Sequence, residues 1–313
     1  MGRRIGIALV FVGLFLLFLA PFVRWYAYPR LQKAPLDEYF QPTATGTGSY
    51  FNVAKLKLLT GASLKNTRTV RGDVKAGNSK TAVWDYFDTT IDTADGGVIT
   101  AKQERIALDR VSAEVVHCCG ANPPSLQGLT LKFHFNTQRK SYLFWDDIPE
   151  KAFPIDYAGE EDVAGVHTYK FVQRINDVPL ATLQISGQQA GEPDQVTVPA
   201  TQMYNDVTTL WVEPRSGVIV KGSQTVHQVL QTQDGRPVMD LFNATLTWDD
   251  ATVKAAAHTA STARSQLRLL SVSLPIGALV LGLILIGAGL ILSRGQRKGR
   301  HEAVSPEPAA RAT

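Results

Sequence analysis

Two long apolar stretches interrupt an otherwise mixed pattern of hydrophobic and polar residues. Residues 5–23 and 269–292 contain no charged side chain. Because a helix rises about 1.5 Å per residue, about 20 apolar residues cross the roughly 30 Å hydrocarbon layer of a bilayer. Each stretch is therefore predicted to form a transmembrane helix, one near each end of the sequence.

For the first stretch, a cleaved signal peptide is the alternative to a permanent membrane helix. Arg3 and Arg4 provide the positive start that signal peptides share. The apolar run is longer than a usual signal core, however, and Phe18 stands where a cleavage site needs a small residue. An uncleaved signal anchor over residues 5–23 is therefore the preferred interpretation.

The region between the two stretches shows the alternation and the turn residues of β-strands. Residues 41–50, rich in Thr and Gly, are predicted to be a loop, and turns are predicted at 96–97, 176–179 and 214–217. Strands at roughly 10-residue spacing favour an antiparallel sandwich, barrel or large twisted sheet. The predicted strands are 51–59, 81–93, 98–107, 129–135, 141–145, 166–175, 180–185, two within 208–220, 222–231 and 238–248.

An alanine-rich segment follows the strands. Residues 251–268 have the composition of a helix, with Asp249 or Asp250 as its cap, and are predicted to form a stalk leading into the second membrane helix. The predicted fold is thus mainly β, with a large antiparallel β-rich extracytoplasmic domain over residues 24–250 between two terminal transmembrane α-helices. Residues 293–313 are basic and are predicted to be a disordered tail.

The distribution of charge predicts the orientation in the membrane. The net charge is +4, and the sequence pI is about 9.0. Residues 1–4 and 293–313 together hold seven basic and two acidic residues, an excess larger than that of the whole chain. This is the positive-inside pattern, which predicts a two-pass plasma-membrane protein with both termini in the cytoplasm. The near-neutral middle lacks the basic surface that nucleic acid binding needs.

The sequence offers few candidates for chemistry. His117, Cys118 and Cys119 form an unusual tripeptide, for which a metal or redox site is one interpretation. Metal sites usually space their ligands, and a disulfide between neighbouring cysteines would form a strained, reducible ring. Two partly buried thiols in a loop are therefore the favoured interpretation. The acidic clusters 146–147, 160–162 and 249–250 favour a solvated surface over a calcium site. No catalytic motif is present, so a non-enzyme is predicted, with no catalytic, cofactor-binding or metal residues. The remaining histidines are scattered: His134, His167, His227 and His258.

Small residues mark one side of the second membrane helix. Ala278 and Gly282, together with Gly287 and Gly289, provide a surface on which another helix can pack closely. The partner is either the first membrane helix, where Gly6 and Gly13 lie, or a second copy of the chain. Helix-mediated self-association is therefore one of the expected interactions.

The chain contains, in this order, the segments 3–23, 108–114 (LDRVSAE), 128–146 (GLTLKFHFNTQRKSYLFWD), 165–171 (GVHTYKF) and 210–220 (LWVEPRSGVIV). Together these five segments resemble an uncharacterised actinobacterial membrane family labelled porin PorA-like. The resemblance implies the two-helix architecture, and the family label implies a porin. A looser similarity in topology links the chain to scavenger receptors of the CD36 kind, whose β-rich ectodomain contains a lipid-conducting tunnel.

These observations lead to one functional hypothesis and two alternatives. The main hypothesis is a membrane-anchored extracytoplasmic module that binds or transfers a lipid or another apolar component of the cell envelope in a cavity. The alternatives are an envelope scaffold without a ligand cavity and a porin-like channel component. The expected partners are the lipid bilayer and an apolar ligand, and no cofactor is expected.

Overall fold

The computed structural model describes residues 2–295. Met1 and residues 296–313, which include most of the predicted cytoplasmic tail, lie outside the described residues. The chain divides into a helical unit, made of the residues up to Gln32 and from Ser265 onwards, and a β unit, Lys33–Arg264. The architecture confirms the predicted fold class, with antiparallel strands between two terminal apolar helices.

The predicted membrane helices are present at both ends of the chain. Two continuous helical stretches, Arg4–Arg30 and Asp250–Ser293, are long and apolar enough to cross a bilayer. The segments within them are α1 (Gly2–Phe22), a π-helical turn (Val23–Ala27), α2 (Tyr28–Leu31), α3 (Asp250–Arg268), a second π-helical turn (Leu269–Ser273) and α4 (Leu274–Gly295).

Helices α1 and α4 pack against each other through two pairs of glycines. A Cβ atom added to Gly13 would lie 2.6 Å from the carbonyl oxygen of Gly282, and one added to Gly282 would lie 2.8 Å from that of Gly13. The pair of Gly6 and Gly289 is equally close, at 2.7 and 2.5 Å. The small-residue surface of α4 thus packs on α1, one of the two predicted arrangements, while Gly287 faces open space.

The β unit is one antiparallel sheet of eleven strands. Its order is β5-β4-β3-β2-β11-β10-β9-β8-β7-β6, and the short β1 pairs with the end of β3. The strands are β1 (Tyr39–Phe40), β2 (Thr43–Asn52), β3 (Lys57–Gly72), β4 (Thr81–Asp92), β5 (Val98–Asp109), β6 (Tyr142–Asp146), β7 (Lys151–Val163), β8 (Val166–Ser186), β9 (Thr197–Glu213), β10 (Val218–Thr232) and β11 (Pro237–Trp248).

Several predictions for the strands were wrong, and two of them concern β2 and β8. Residues 41–50, predicted to be a loop, form most of β2, which lies between β3 and β11. Its glycines allow close approach, since a Cβ atom on Gly48 would lie 2.5 Å from the Cβ of Ala244. The predicted turn at 176–179 is a bulge within the continuous β8, where Asp177 takes a φ of +52°. The predicted turns at 96–97 and 214–217 are both present.

An irregular segment joins the two edge strands and closes the sheet on itself. On one side, Arg105 of β5 exchanges backbone hydrogen bonds with Asn122, at 3.0 and 2.8 Å. On the other side, Leu129 donates to Leu143 of β6 at 2.8 Å and accepts from Trp145 at 2.7 Å. We call residues 114–129 the closing segment. The strand predicted at 129–135 is absent, because Leu129 makes only an isolated bridge to β6.

Side chains fill the inner side of the closed sheet. The largest fully buried residues include Tyr204, Phe133 and Phe171. The cluster of Tyr204 is contributed by strands from both halves of the sheet, whereas that of Phe133 and Phe171 comes from strands β6 to β10 and the adjoining loops. The start of α3 covers part of the outer side, where Ala257 and Ala260 pack with Trp211. Asp249 caps this helix by accepting a hydrogen bond from the backbone N–H of Thr252 at 2.7 Å, as predicted.

Candidate functional site

A band of ionisable side chains crosses the inside of the closed sheet. Because alternate residues of a strand share a face, β4 directs Tyr86 and Asp88 inward together with the apolar Trp84. Register then places Arg68 of β3 opposite Asp88, and Glu104 of β5 opposite Tyr86. The members of this band, called the polar band below, are Arg68, Tyr86, Asp88, Lys102, Glu104, Asp146, Asp147, Tyr204 and Asp206.

Arg68 supplies the permanent positive charge of the polar band. Its Nε lies 2.8 Å from Oδ2 of Asp88, and Nη2 donates to Oε1 of Gln224 at 3.0 Å. Burial by itself lowers the pKa of Arg68, but Tyr86 and the nearby carboxylates outweigh burial and raise it. The guanidinium therefore stays charged and links β3, β4 and β10 across the interior.

Hydrogen bonds to members of the polar band connect β6 and the turn that follows it to strands that are distant from β6 in the sheet order. Tyr204 of β9 donates to Oδ2 of Asp146 at 2.8 Å. Trp145 donates from Nε1 to Oε1 of Glu104 on β5 at 3.2 Å. Lys102, also on β5, donates to the backbone carbonyl of Asp147. These contacts hold the two edges of the sheet together through side chains, in addition to the closing segment.

Burial favours the protonated form of several carboxyl groups in the band. It raises the pKa of Glu104 to about 7, that of Asp206 to about 6, and that of Asp146, helped by Asp147 and Asp206, to about 8. Oε2 of Glu104 and Oδ1 of Asp206 are buried and accept no hydrogen bond from the residues that the structure describes. A neutral carboxyl group is less costly to bury than a carboxylate, so protonation lowers the free-energy cost of burying Glu104 and Asp206.

The acidic clusters seen in the sequence lie in three different settings. Residues 146–147, expected on a solvated surface, belong instead to the buried polar band, because β6 turns this end of the strand inward. Glu160 and Asp162 are exposed on β7 and contact His167 at 3.2 and 3.4 Å. Asp249 caps α3. Within residues 2–295, no group of three His, Cys, Asp or Glu side chains has the proximity to hold a metal ion.

The structure also separates the histidines. His134 lies 3.5 Å from Glu114, His227 lies 2.9 Å from Asp240, and His258 is exposed on α3.

The polar band was not predicted from the sequence, although the pattern of β4 indicates it. Residues 84, 86, 88, 90 and 92 share one face and mix aromatic with acidic and hydroxyl side chains. That face is buried only because the sheet closes, which local alternation does not reveal.

The two cysteines differ from the favoured interpretation. Cys118 and Cys119 are joined by a disulfide and are both exposed, whereas the sequence favoured partly buried free thiols. The two cysteines are exposed because they lie in the closing segment, between two points that are hydrogen-bonded to β5. There the chain turns outward, with Cys119 at a φ of +59° and Gly120 at +77°.

Several exposed apolar side chains lie at the end of the sheet where β2 ends and β11 begins. Four hairpin tips lie there, joining β2 to β3, β4 to β5, β8 to β9 and β10 to β11. Ion pairs connect the tips two by two, from Lys55 to Asp95 at 3.3 Å and from Arg236 to Glu192 at 3.5 Å. We call this end the rim. Its most exposed apolar residues are Val53 (74% exposed), Leu56 (76%), Val98 (64%), Leu183 (43%) and Val196 (90%).

The outer face at the centre of the sheet is polar. Thr45 and Thr47 of β2 face outward beside Thr245 of β11, whose hydroxyl lies 3.0 Å from that of Thr225 on β10. A shallow depression of about 370 Å³ on this face is lined mainly by small and hydroxyl-bearing residues. These residues are Thr47, Gly48, Ser49, Thr60, Gly61, Asn243, Ala244 and Thr245.

Comparison with known proteins gives a consistent result along nearly the whole chain. The family model described as Porin PorA matches residues 5–291. A protein named Porin PorA from Corynebacterium resistens is 24% identical over 66% of this chain and 69% of its own length. A second Porin PorA, from Corynebacterium amycolatum, is 24% identical over 75% of this chain and 80% of its own length. The chain belongs to the Porin PorA family.

Proposed function

We propose that the chain is a membrane-anchored binding module of the cell envelope that holds a lipid or another apolar envelope component at the rim. The observation that carries this proposal is the concentration of exposed apolar side chains on the hairpin tips, with Val196 at 90% exposure. Water-exposed apolar clusters of this kind favour contact with a protein or lipid surface. The module acts by binding, without a catalytic step.

The placement of polar and apolar residues supports binding at the rim over binding in a tunnel. Inside the sheet, Tyr204, Phe171 and their neighbours pack against one another, and the polar band occupies the space between apolar clusters. Outside, the central strands present threonine side chains to solvent. We therefore propose that the ligand binds to a surface site formed by the hairpin tips, and not in the internal cavity that the sequence suggested.

The two relatives are named porins, and this name states a different function, a pore through the sheet. Membrane-spanning barrels place apolar residues outward and polar residues inward. In β2 and β11 the pattern is reversed, since Thr47 and Thr245 face outward while Tyr50 and Phe242 are buried inside. This reversal favours a sheet in water, anchored by the two helices, over a sheet in lipid.

Vesicle capture tests the rim directly. The full chain is reconstituted into phosphatidylcholine vesicles, and capture of protein-free fluorescent vesicles containing phosphatidylglycerol is measured by flotation. The double substitution Val53→Ser with Leu56→Asn is expected to reduce capture at least about tenfold, because each buried apolar side chain contributes roughly 1.5–3 kcal/mol. Asparagine suits the positive φ of Leu56, which is +47°.

A matched control is Val111→Ser, which removes a 47%-exposed apolar residue at the opposite end of the sheet. This variant should capture vesicles as the unaltered protein does. Equal capture by the rim variant would overturn the proposal. Stepwise conductance of the purified protein in planar bilayers would instead support a pore, and a stoichiometric lipid that still co-purifies with the rim variant would support an internal cavity.

A further inference from the structure

We propose that Cys118 and Cys119 form a redox-active site that exchanges with thiols and disulfides of the envelope and alters the closing segment. Both residues are exposed, and their sulfur atoms are bonded to each other. Exposed disulfides are open to attack by an external thiolate, whereas buried ones are protected. The site is separate from the rim and does not depend on its proposed function.

The backbone on either side of the pair is fixed to β5. Val116 donates to the carbonyl of Ala107 at 2.8 Å, and Asn122 exchanges two backbone hydrogen bonds with Arg105. Between these anchors, Ala121 donates to the carbonyl of Cys118 at 2.9 Å and forms a tight turn. The disulfide therefore lies in a short loop whose ends are held on the edge of the sheet.

Arg105 connects the loop to Asp85 on the neighbouring β4 and to Asp73, which follows β3. Its Nε donates to the carbonyl oxygen of Cys119 at 3.1 Å, while Nη1 and Nη2 pair with Asp85 and Asp73 at 2.7 and 2.6 Å. The accepting residue, Cys119, has a φ of +59°, in the left-handed region that residues with a side chain seldom adopt. The cross-link to Cys118 restricts departure from this conformation.

The exchange conserves atoms and electrons. A thiolate of an external thiol attacks one sulfur of the pair, forms a mixed disulfide and releases the other cysteine as a thiolate, which takes up a proton. A second external thiol attacks the mixed disulfide, and the external thiols leave as their oxidised disulfide. Cys118 and Cys119 have then gained the electron pair, and Cys119 is free to leave the left-handed region and release Arg105.

Alkylation followed by mass spectrometry tests the exchange. The full chain in detergent is treated with graded mixtures of reduced and oxidised dithiothreitol and then with iodoacetamide, without denaturant. The peptide that contains the pair should carry no label before reduction and two labels after it. Labelling without reductant would show free thiols, and labelling that requires denaturant would show an inaccessible bond. Either result would overturn the proposal.

Hydrogen exchange tests the structural consequence. Reduction is expected to increase the exchange of the Asn122 amide and of its neighbours in the loop, while amides of β9 and β10 stay unchanged. The variant with both Cys118→Ser and Cys119→Ser should show the faster exchange at all times and no response to reductant. Unchanged exchange on reduction would disprove the coupling, and so would a response that persists in the double variant.

Discussion

At the scale of single residues, the most consequential groups are the carboxyls of the polar band. Each is buried at a position where the alternation of a strand brings it inside, and each finds a hydrogen-bond donor or a neighbouring charge there. The donor to Asp146 is the hydroxyl of Tyr204, at 2.8 Å. Those whose pKa burial raises, such as Glu104 and Asp206, hold their protons more tightly in the folded protein than in the unfolded chain.

The stability of the β unit is therefore expected to fall as the pH rises. An acid with a raised folded-state pKa favours the folded protein at low pH, and this contribution is lost as the pH passes that pKa. The pKa is raised from 4.5 to about 7 for Glu104 and from 3.8 to about 8 for Asp146, so the loss should occur between about pH 4 and pH 8. Thermal unfolding followed by tryptophan fluorescence measures it.

Asp146→Asn provides the test of this assignment. An amide cannot ionise, so the stability of the variant should depend less on pH than that of the unaltered protein. Its single oxygen can accept from Tyr204 or from the backbone N–H of Ile148 but not from both, so its stability at low pH should be lower. Asp194→Asn, at an exposed position, should leave the pH dependence unchanged. A pH profile that is identical in the Asp146 variant would contradict the assignment.

At the scale of elements, the glycines of α1 and α4 determine how closely the helices approach. Gly282→Leu is expected to destabilise the helical unit by roughly 1–3 kcal/mol, because the added side chain has to displace the backbone of α1. Gly287→Leu is the matched control, since a Cβ there meets nothing within 4 Å. Thermal unfolding in detergent compares the two. Equal stabilities would show that this packing is absent in detergent.

The closing segment depends on a glycine of a different kind. Gly128 has a φ of +73°, and a Cβ there would lie 2.6 Å from the carbonyl oxygen of Leu143. Gly128→Ala should destabilise the β unit more than Gly96→Ala, whose φ of +72° is similar but whose surroundings are open. The strain at a positive φ alone costs about 1 kcal/mol. Any larger loss in the free energy of unfolding, measured with urea, therefore reports the contact of Gly128 with β6. Equal losses would contradict the role given to the segment.

The elements differ in how far the sequence predicted them. The apolar stretches and the hairpin turns at 96–97 and 214–217 were readable because their signals are local. Strand β2 was missed because its threonines and glycines match a loop in composition, and only the approach of β11 explains them. The polar band and the closing segment depend on contacts between distant parts of the chain, which alternation within one strand does not contain.

At the scale of the whole molecule, the membrane topology is still a prediction. The two-helix anchor and the family place the chain in a membrane, and the basic residues near both ends favour cytoplasmic termini. We therefore expect an epitope tag at either terminus to resist protease added to intact spheroplasts, while the β unit is cleaved or labelled. Digestion of either tag under these conditions would refute the two-pass arrangement.

The pairing of β2 with β11 has a consequence for biogenesis. These two strands are the first long strand and the last one of the sheet, yet they are neighbours at its centre, with Thr47 opposite Thr245. One edge of β2 therefore stays unpaired until β11 has been synthesised. If the β unit crosses the membrane as we expect, the sheet is completed only after translocation, and until then the open edge of β2 would need protection from pairing with other chains.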